Sequence, residues 1–277
     1  MKNKKIVKVI ATSFIERQVR ESSIWYEHGQ NLGAPIAVLN MIKDIVEKNR
    51  EIDAGLPMDT IIVNNDSGYN PGRQYLDTIN GTITRNGVFK VIHRENWGRS
   101  FGAYNEAFMQ YRDEYDYWIF SEDDMYFSKD GYAKEYLDIL EKDEKIAFVA
   151  AIGIGRPTER TKHAHGGCGM THKKYMEETV PINYNYVDEL RELEKQSGEV
   201  IGPAAKKSGC LAHLTKNYIN WSDVPPGLSN EEYTATINKN TRLHCIYGEV
   251  PFTYSLVHLG YDIIVPEDPK QWYSFYE

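Results

Sequence analysis

The sequence predicts an α/β protein built on a mixed, mostly parallel sheet with helices on both faces. Three observations predict it. Strand-length apolar runs alternate with segments of helical period through roughly the first 155 residues, the order that builds parallel sheets through crossover helices. Polar, turn-rich clusters follow the strands, at the edge where sheets of this kind bind ligands. The stretch from Asp116 to Phe127, aromatic and β-branched, reads as a strand buried on both faces that ends abruptly in three consecutive acids, Glu122, Asp123 and Asp124.

Taken in order, Ile6 to Ala11 forms the first strand and leads into Thr12 and Ser13. A helix follows from about Ala34 to Asn49, because Val38, Met41, Ile42, Ile45 and Val46 recur at the spacing of one buried face and Pro35 sits in the first turn. Asp59 to Val63 is the second strand and runs into the turn residues Asn64 to Gly68. A polar, Gly-containing excursion with room for a hairpin precedes a third strand, Gly87 to His93. Ser100 reads as the N-cap of a helix to about Tyr115, with Phe101, Tyr104, Phe108 and Tyr111 on one side. After the acidic strand, Ala133, Tyr136, Leu137 and Leu140 mark another helix, and Ile146 to Ala151 another strand.

The second half is less regular. Gly153 to Gly169 is rich in Gly, Arg and His, and Ile182 to Asn230 reads as a long substrate-facing excursion. Order returns with a helix opened by Gly248-Glu249 and ended near Gly260, where glycine takes the left-handed conformation. A strand from Tyr261 to Val265 and an acidic, aromatic tail close the sequence. The chain is expected to form one domain over 1–277, with a first half at 1–155 and a second at 156–277.

Composition narrows the function. With 41% hydrophobic and 26% charged residues the chain is an ordinary globular one. The net charge of −8 argues against a nucleic-acid surface. Cys168, Cys210 and Cys245 lie far apart without CxxC spacing, which favours neither a disulfide framework nor a structural zinc site and points to a reducing, cytoplasmic compartment. Lys8 breaks the only apolar run near the basic start, so a signal peptide is not expected. No stretch reaches the length of a membrane span, while peripheral association stays open.

Three adjacent carboxylates repel one another, so a fold that gathers them at a strand end needs a cation there. Mg2+ or Mn2+ carrying phosphate oxygens fits, since hard cations take carboxylate and phosphate ligands together. A solvated acidic turn is the alternative. His163 and His165, two apart, would point the same way on a strand, but without an acidic or thiol partner at ligand spacing they read as loop histidines.

In this order the motifs resemble a GT-A glycosyltransferase of the family 2 type. The resemblance covers roughly residues 5–155 and 245–266 and rests on Asn64-Asn65-Asp66-Ser67, Arg94-Glu95-Asn96-Trp97-Gly98 with Asn105, Glu122-Asp123-Asp124, and Gly248-Glu249. It implies a nucleoside-diphosphate sugar donor, a glycan or lipid-linked acceptor, and Mn2+ or Mg2+ held by Glu122 and Asp124. Asp123 would ligate too, or bond the donor's ribose. Thr12, Asn64, Asp66, Arg94, Asn96 and Gly98 are the further donor-binding candidates, with Asp66 on base or ribose and Arg94 near the diphosphate; the bland readings are a turn cap and a surface arginine.

Glu249 is the candidate base that takes the acceptor's proton in an inverting transfer. The pattern departs from the family at this point: Val250 and Pro251 follow Glu249 where an acidic pair is usual. Gly166 to Met170 resembles the small-residue strand on the acceptor side, and His244 or His258 would complete the metal shell as late histidines do in some relatives. A non-catalytic nucleotide-sugar or glycan-binding protein is the alternative kept open by Val250. A sugar-phosphate nucleotidyltransferase is disfavoured because Ala11 to Arg17 lacks a Gly-rich cationic loop. A processive synthase would need membrane spans and a Gln-x-x-Arg-Trp segment.

Overall fold

The computed structural model describes residues 5–14, 35–95, 99–155, 163–178, 253, 256–257 and 259–275. Its elements are β1 (Ile6–Thr12), α1 (Pro35–Glu51), β2 (Met58–Asp66), α2 (Asn70–Ile79), β3 (Phe89–Glu95), α3 (Arg99–Tyr111), β4 (Tyr117–Glu122), β5 (Met125–Phe127), α4 (Tyr132–Leu140), β6 (Ile146–Ala150), β7 (Ile154–Gly155), β8 (His163–Ala164), β9 (Gly169–His172), α5 (Lys173–Glu178), β10 (Asp262–Ile264) and β11 (Tyr273–Phe275).

Seven strands form the central sheet in the order β10-β6-β9-β4-β1-β2-β3. β1 runs parallel to β2 and β4, β2 to β3, and β10 to β6, whereas β9 is antiparallel to both β4 and β6. The expected mixed, mostly parallel sheet is therefore present, with β4 at its centre.

Alternation along β1 sorts the core. Val7, Val9 and Ala11 pack with α3 on one face, while Ile6 and Ile10 face α4 and α1 on the other. Helices thus cover both faces, as buried parallel strands require. The α1 face reads as the heptad-like spacing predicts: Val38, Met41, Ile42, Ile45 and Val46 are all buried.

Three expectations are corrected. The excursion after β2 contains a helix, α2, with Pro71 in its first turn. Its apolar contribution is only Leu76 and Ile79 on an otherwise polar segment, too sparse for periodicity to stand out. The hairpin follows it, as the Ile83 to Val88 bridge. Second, the strand after Asp116 ends at the acids as expected, but the chain turns at Asp123-Asp124 and Met125 to Phe127 leave the main sheet as β5, paired with β11. Third, Ser100 lies inside α3 rather than capping it.

Gly260, at φ 90, adopts the left-handed conformation expected of a helix end. The long excursion from Ile182 to Asn230 lies outside the described residues.

Candidate functional site

The carboxyl ends of β1, β2, β3 and β4 are in register side by side, with Thr12 opposite Asn64, Ala11 opposite Glu122, and Asp66 opposite Glu95. Cross-links hold these ends together. Ser13 Oγ donates to the Asn65 carbonyl (3.1 Å) and Ser67 Oγ to the Phe14 carbonyl (2.8 Å).

Strand alternation then deals the candidate residues onto opposite faces. Glu122 follows Phe120 to the α3 side, where its Oε1 accepts a 2.5 Å hydrogen bond from Ser100 Oγ. Asp123 goes the other way: it is 3% exposed, and its Oδ2 accepts from Thr12 Oγ1 (2.8 Å) and the Ser13 amide (3.4 Å). Asp124, beyond the end of β4, is partly exposed in the turn. Tyr104, fully buried on α3, has its hydroxyl pushed well above the usual phenol range, first by burial and then by Cys168, Glu122 and Asp124. Both carboxylates act on that one phenol.

The turn at Gly166 closes the same corner. Its φ is 63, and a Cβ there would stand 3.8 Å from Glu122 Oε2 and 3.3 Å from Cys168 Sγ.

On β2 and β3 the same alternation separates two clusters. Asn65 and Arg94 face α3: Arg94 is 8% exposed, its Nη1 donates to Asn65 Oδ1 at 2.5 Å, and its Nε lies 3.9 Å from Glu106 Oε2. Arg94 is thus a buried cation and not a surface arginine. Asn64 and His93 face α2. His93 Nε2 meets Asp77 Oδ1 at 3.0 Å, so Nε2 carries the proton and Nδ1 accepts from Asn64 Nδ2 at 3.1 Å. Asn64 Oδ1 is buried and has no hydrogen-bond partner among the described residues.

Asp66 caps its own turn. Its Oδ1 accepts from the Gly68 amide (2.9 Å) and its Oδ2 from Arg73. The Gly68 amide above all holds the carboxyl below its ordinary range; burial opposes it, and Arg73 adds to the lowering.

Of the candidates, Thr12 and Asp123 are brought into contact, and Glu122 and Asp124, on either side of Asp123 in the chain, are both partly exposed. Asn64 and Arg94 point to opposite faces of the sheet. Asn96, Gly98 and Glu249 lie outside the described residues, as do His244 and His258. His163 is buried in β8 while His165 is exposed in the turn that follows, so the two do not share a strand face.

Sequence reasoning did not single out Ser100 as the partner of Glu122, nor Tyr104, Cys168, His93 or Asp77. The apolar periodicity of α3 had assigned Tyr104 to the core, and nothing in the linear order joins Asp77 to His93.

Among the described residues no group of three or more His, Cys, Asp or Glu side chains is gathered as a metal cage. The turn itself offers two partly exposed carboxylates, Glu122 and Asp124. That is what Mg2+ or Mn2+ takes when substrate phosphates supply the remaining oxygens. Among the described residues, too, no helix is long and apolar enough to cross a membrane.

No protein-family model and no curated protein matches the chain. Solved structures are similar to it at low identity. The mannosyltransferase PcManGT from Pyrobaculum calidifontis, in complex with GDP-Man and Mn2+, is 10% identical over 94% of this chain and 87% of its own, with a TM-score of 0.41. The glycosyltransferase GlyE of Streptococcus pneumoniae TIGR4 is 15% identical over 77% of this chain, with a TM-score of 0.36. TarS of S. aureus is 14% identical over 62% of this chain, with a TM-score of 0.34. The match spans 43% of GlyE and 29% of TarS. The chain itself has a mixed, mostly parallel sheet whose central strand β4 ends at Glu122, with Asp123 and Asp124 directly after it.

Proposed function

We propose that the protein is a metal-dependent, inverting glycosyltransferase that moves a sugar from a nucleoside-diphosphate sugar to a hydroxyl of a glycan or lipid-linked acceptor. The observation that carries this reading is the division of labour within the acidic triplet. Asp123 is turned into the protein and tied to Thr12 and Ser13, while Glu122 and Asp124, its neighbours in the chain, stay partly exposed. A plain solvated turn would leave all three to water.

Glu122 and Asp124 would hold Mn2+ or Mg2+, which when bound neutralises charge on the leaving diphosphate. The protein's own groups do the rest. Thr12 and Asp123 close the donor side against the ends of β1 and β4, and Asp66 with Asn64 stands at the end of β2 for the base and ribose. The buried Arg94 guanidinium contributes a fixed positive charge behind that edge, with Asn96 and Gly98 in the segment after it. Glu249 accepts the proton of the acceptor hydroxyl as its oxygen bonds to the anomeric carbon; the bond to the diphosphate breaks, and its electron pair leaves with the diphosphate.

Calorimetric titration with UDP, GDP, CDP and dTDP, each with Mn2+ and with EDTA, tests this. The expected result is binding of one nucleotide that EDTA abolishes and that Asp124→Ala lowers by at least tenfold without changing the circular dichroism spectrum. Binding of none of the four, or full binding by Asp124→Ala, would overturn the reading.

A further inference from the structure

β5 starts at the residue after Asp124 and lies outside the seven-stranded sheet. Its strand partner is β11, more than a hundred residues away in the chain. The antiparallel register pairs Tyr273 with Phe127, Ser274 with Tyr126 and Phe275 with Met125. The Ser128 amide donates to the Trp272 carbonyl at 3.0 Å. In an antiparallel ladder that bond and the Ser274 to Tyr126 pair alternate with the wider spacing at Tyr273, so the Ser274 amide donates to the Tyr126 carbonyl.

Side chains reinforce the ladder. Lys129 Nζ donates to Gln271 Oε1 at 2.7 Å and lies 4.2 Å over the Trp272 ring. Trp272 and Tyr273 are each 8% exposed and pack with Met125, Phe127 and Cys168 in one cluster. Tyr273 OH reaches the Ile152 carbonyl at 3.5 Å.

The acidic turn is thus clamped at both ends by unequal means. On the β4 side it is held by two neighbouring strands of the main sheet, β1 and β9. On the β5 side the backbone clamp is β11. Adjacent carboxylates repel, and a turn free at one end would relax by swinging them apart. We propose that β11 is the positioning element of the metal-binding turn, holding Asp124 against the fixed Glu122, with Tyr273 and Ser274 as its positioning residues. This rests on the metal reading above for its functional consequence, though not for its structural one.

Two variants of the full chain separate these. Ser274→Pro deletes the amide that donates to Tyr126, and Ser274→Ala keeps it. Hydrogen exchange by mass spectrometry is expected to show residues 122–128 exchanging at least tenfold faster in Ser274→Pro, with β1 and β2 unchanged and Ser274→Ala like wild type. Mn2+ affinity, read by electron paramagnetic resonance with each of UDP, GDP, CDP and dTDP, is expected to fall at least tenfold in Ser274→Pro alone.

If Ser274→Pro exchanges globally, Tyr273→Leu, which keeps every backbone donor, carries the same measurements, with about a threefold effect expected. Unchanged exchange at 122–128, or undiminished Mn2+ affinity in a variant whose wild type binds it, overturns the proposal. A wild type that binds no Mn2+ with any of the four nucleotides defeats the glycosyltransferase reading instead, and exchange alone then decides whether β11 fixes the turn.

Discussion

At the scale of single residues, the hydroxyl of Ser100 decides how Glu122 presents itself. A carboxylate that accepts a short bond on Oε1 keeps its other oxygen, Oε2, toward the Gly166 turn. Partners of this kind orient ligands, and losing one typically costs about 10- to 100-fold in metal affinity. Ser100→Ala is therefore expected to weaken Mn2+-dependent nucleotide binding roughly tenfold while the thermal midpoint moves little. Equal Mn2+ titrations of the two proteins would refute that.

Asp66 offers a contrast. Its oxygens already serve Gly68 and Arg73, so the turn is formed before any ligand arrives. With its folded value below the unfolded one, Asp66 stabilises the fold at neutral pH, and that contribution is lost as pH falls through the carboxylate range.

Among the elements, β9 is the one that makes the sheet mixed. It inserts antiparallel between β4 and β6, and Gly169 opens it at φ 147. A Cβ at that position would stand 2.2 Å from the Val149 carbonyl oxygen and 2.5 Å from the Phe148 ring. Strain at such a φ and overpacking in a core each cost about 1–3 kcal/mol. Gly169→Ala is expected to lower the urea midpoint by the equivalent of about 3 kcal/mol with the slope unchanged. A midpoint within error of wild type would show that the strand can shift.

The sequence placed the small residues around Gly169 on the acceptor side; in the structure Gly169 lies against the β6 backbone. The edges of the sheet are managed as well. On β3 the Gly81 amide and the Thr82 carbonyl bond to Phe89 and blunt the open side. By contrast α2 escaped the sequence reading. Its buried side chains are few, and Gly72, where a Cβ would lie 2.6 Å from the Phe14 ring, looks from sequence like a breaker rather than a contact.

For the whole molecule, the conspicuous cost is Lys8. It sits in the middle of β1, 4% exposed, donating to Tyr132 OH (2.9 Å) and to Asn49. Burial lowers its pKa to about 7 from an ordinary 10.5. The unfolded chain binds this proton between those two values and the folded protein does not, so stability rises with pH across that window. One proton corresponds to about 1.4 kcal/mol per pH unit. The unfolding free energy of wild type relative to Lys8→Met is expected to climb with that slope between pH 7 and 10 and to be flat below pH 7. Parallel pH profiles would show that Lys8 is protonated in the fold.

The alternation of strands and helices in the first half, α2 excepted, the polar clusters at the strand ends and the acidic triplet could be read from the sequence. Each is written in local periodicity and in residue types adjacent along the chain. The acids mark the strand end, but strand parity reaches only as far as Glu122, where β4 stops, and beyond it the turn decides. The tertiary structure alone decided that Asp123 turns to Thr12, that Ser100 holds Glu122, that His93 bridges Asn64 to Asp77, and that β11 returns to pin β5. Those pairings join residues from 16 to 150 positions apart, and packing across such distances leaves no period in the sequence to read.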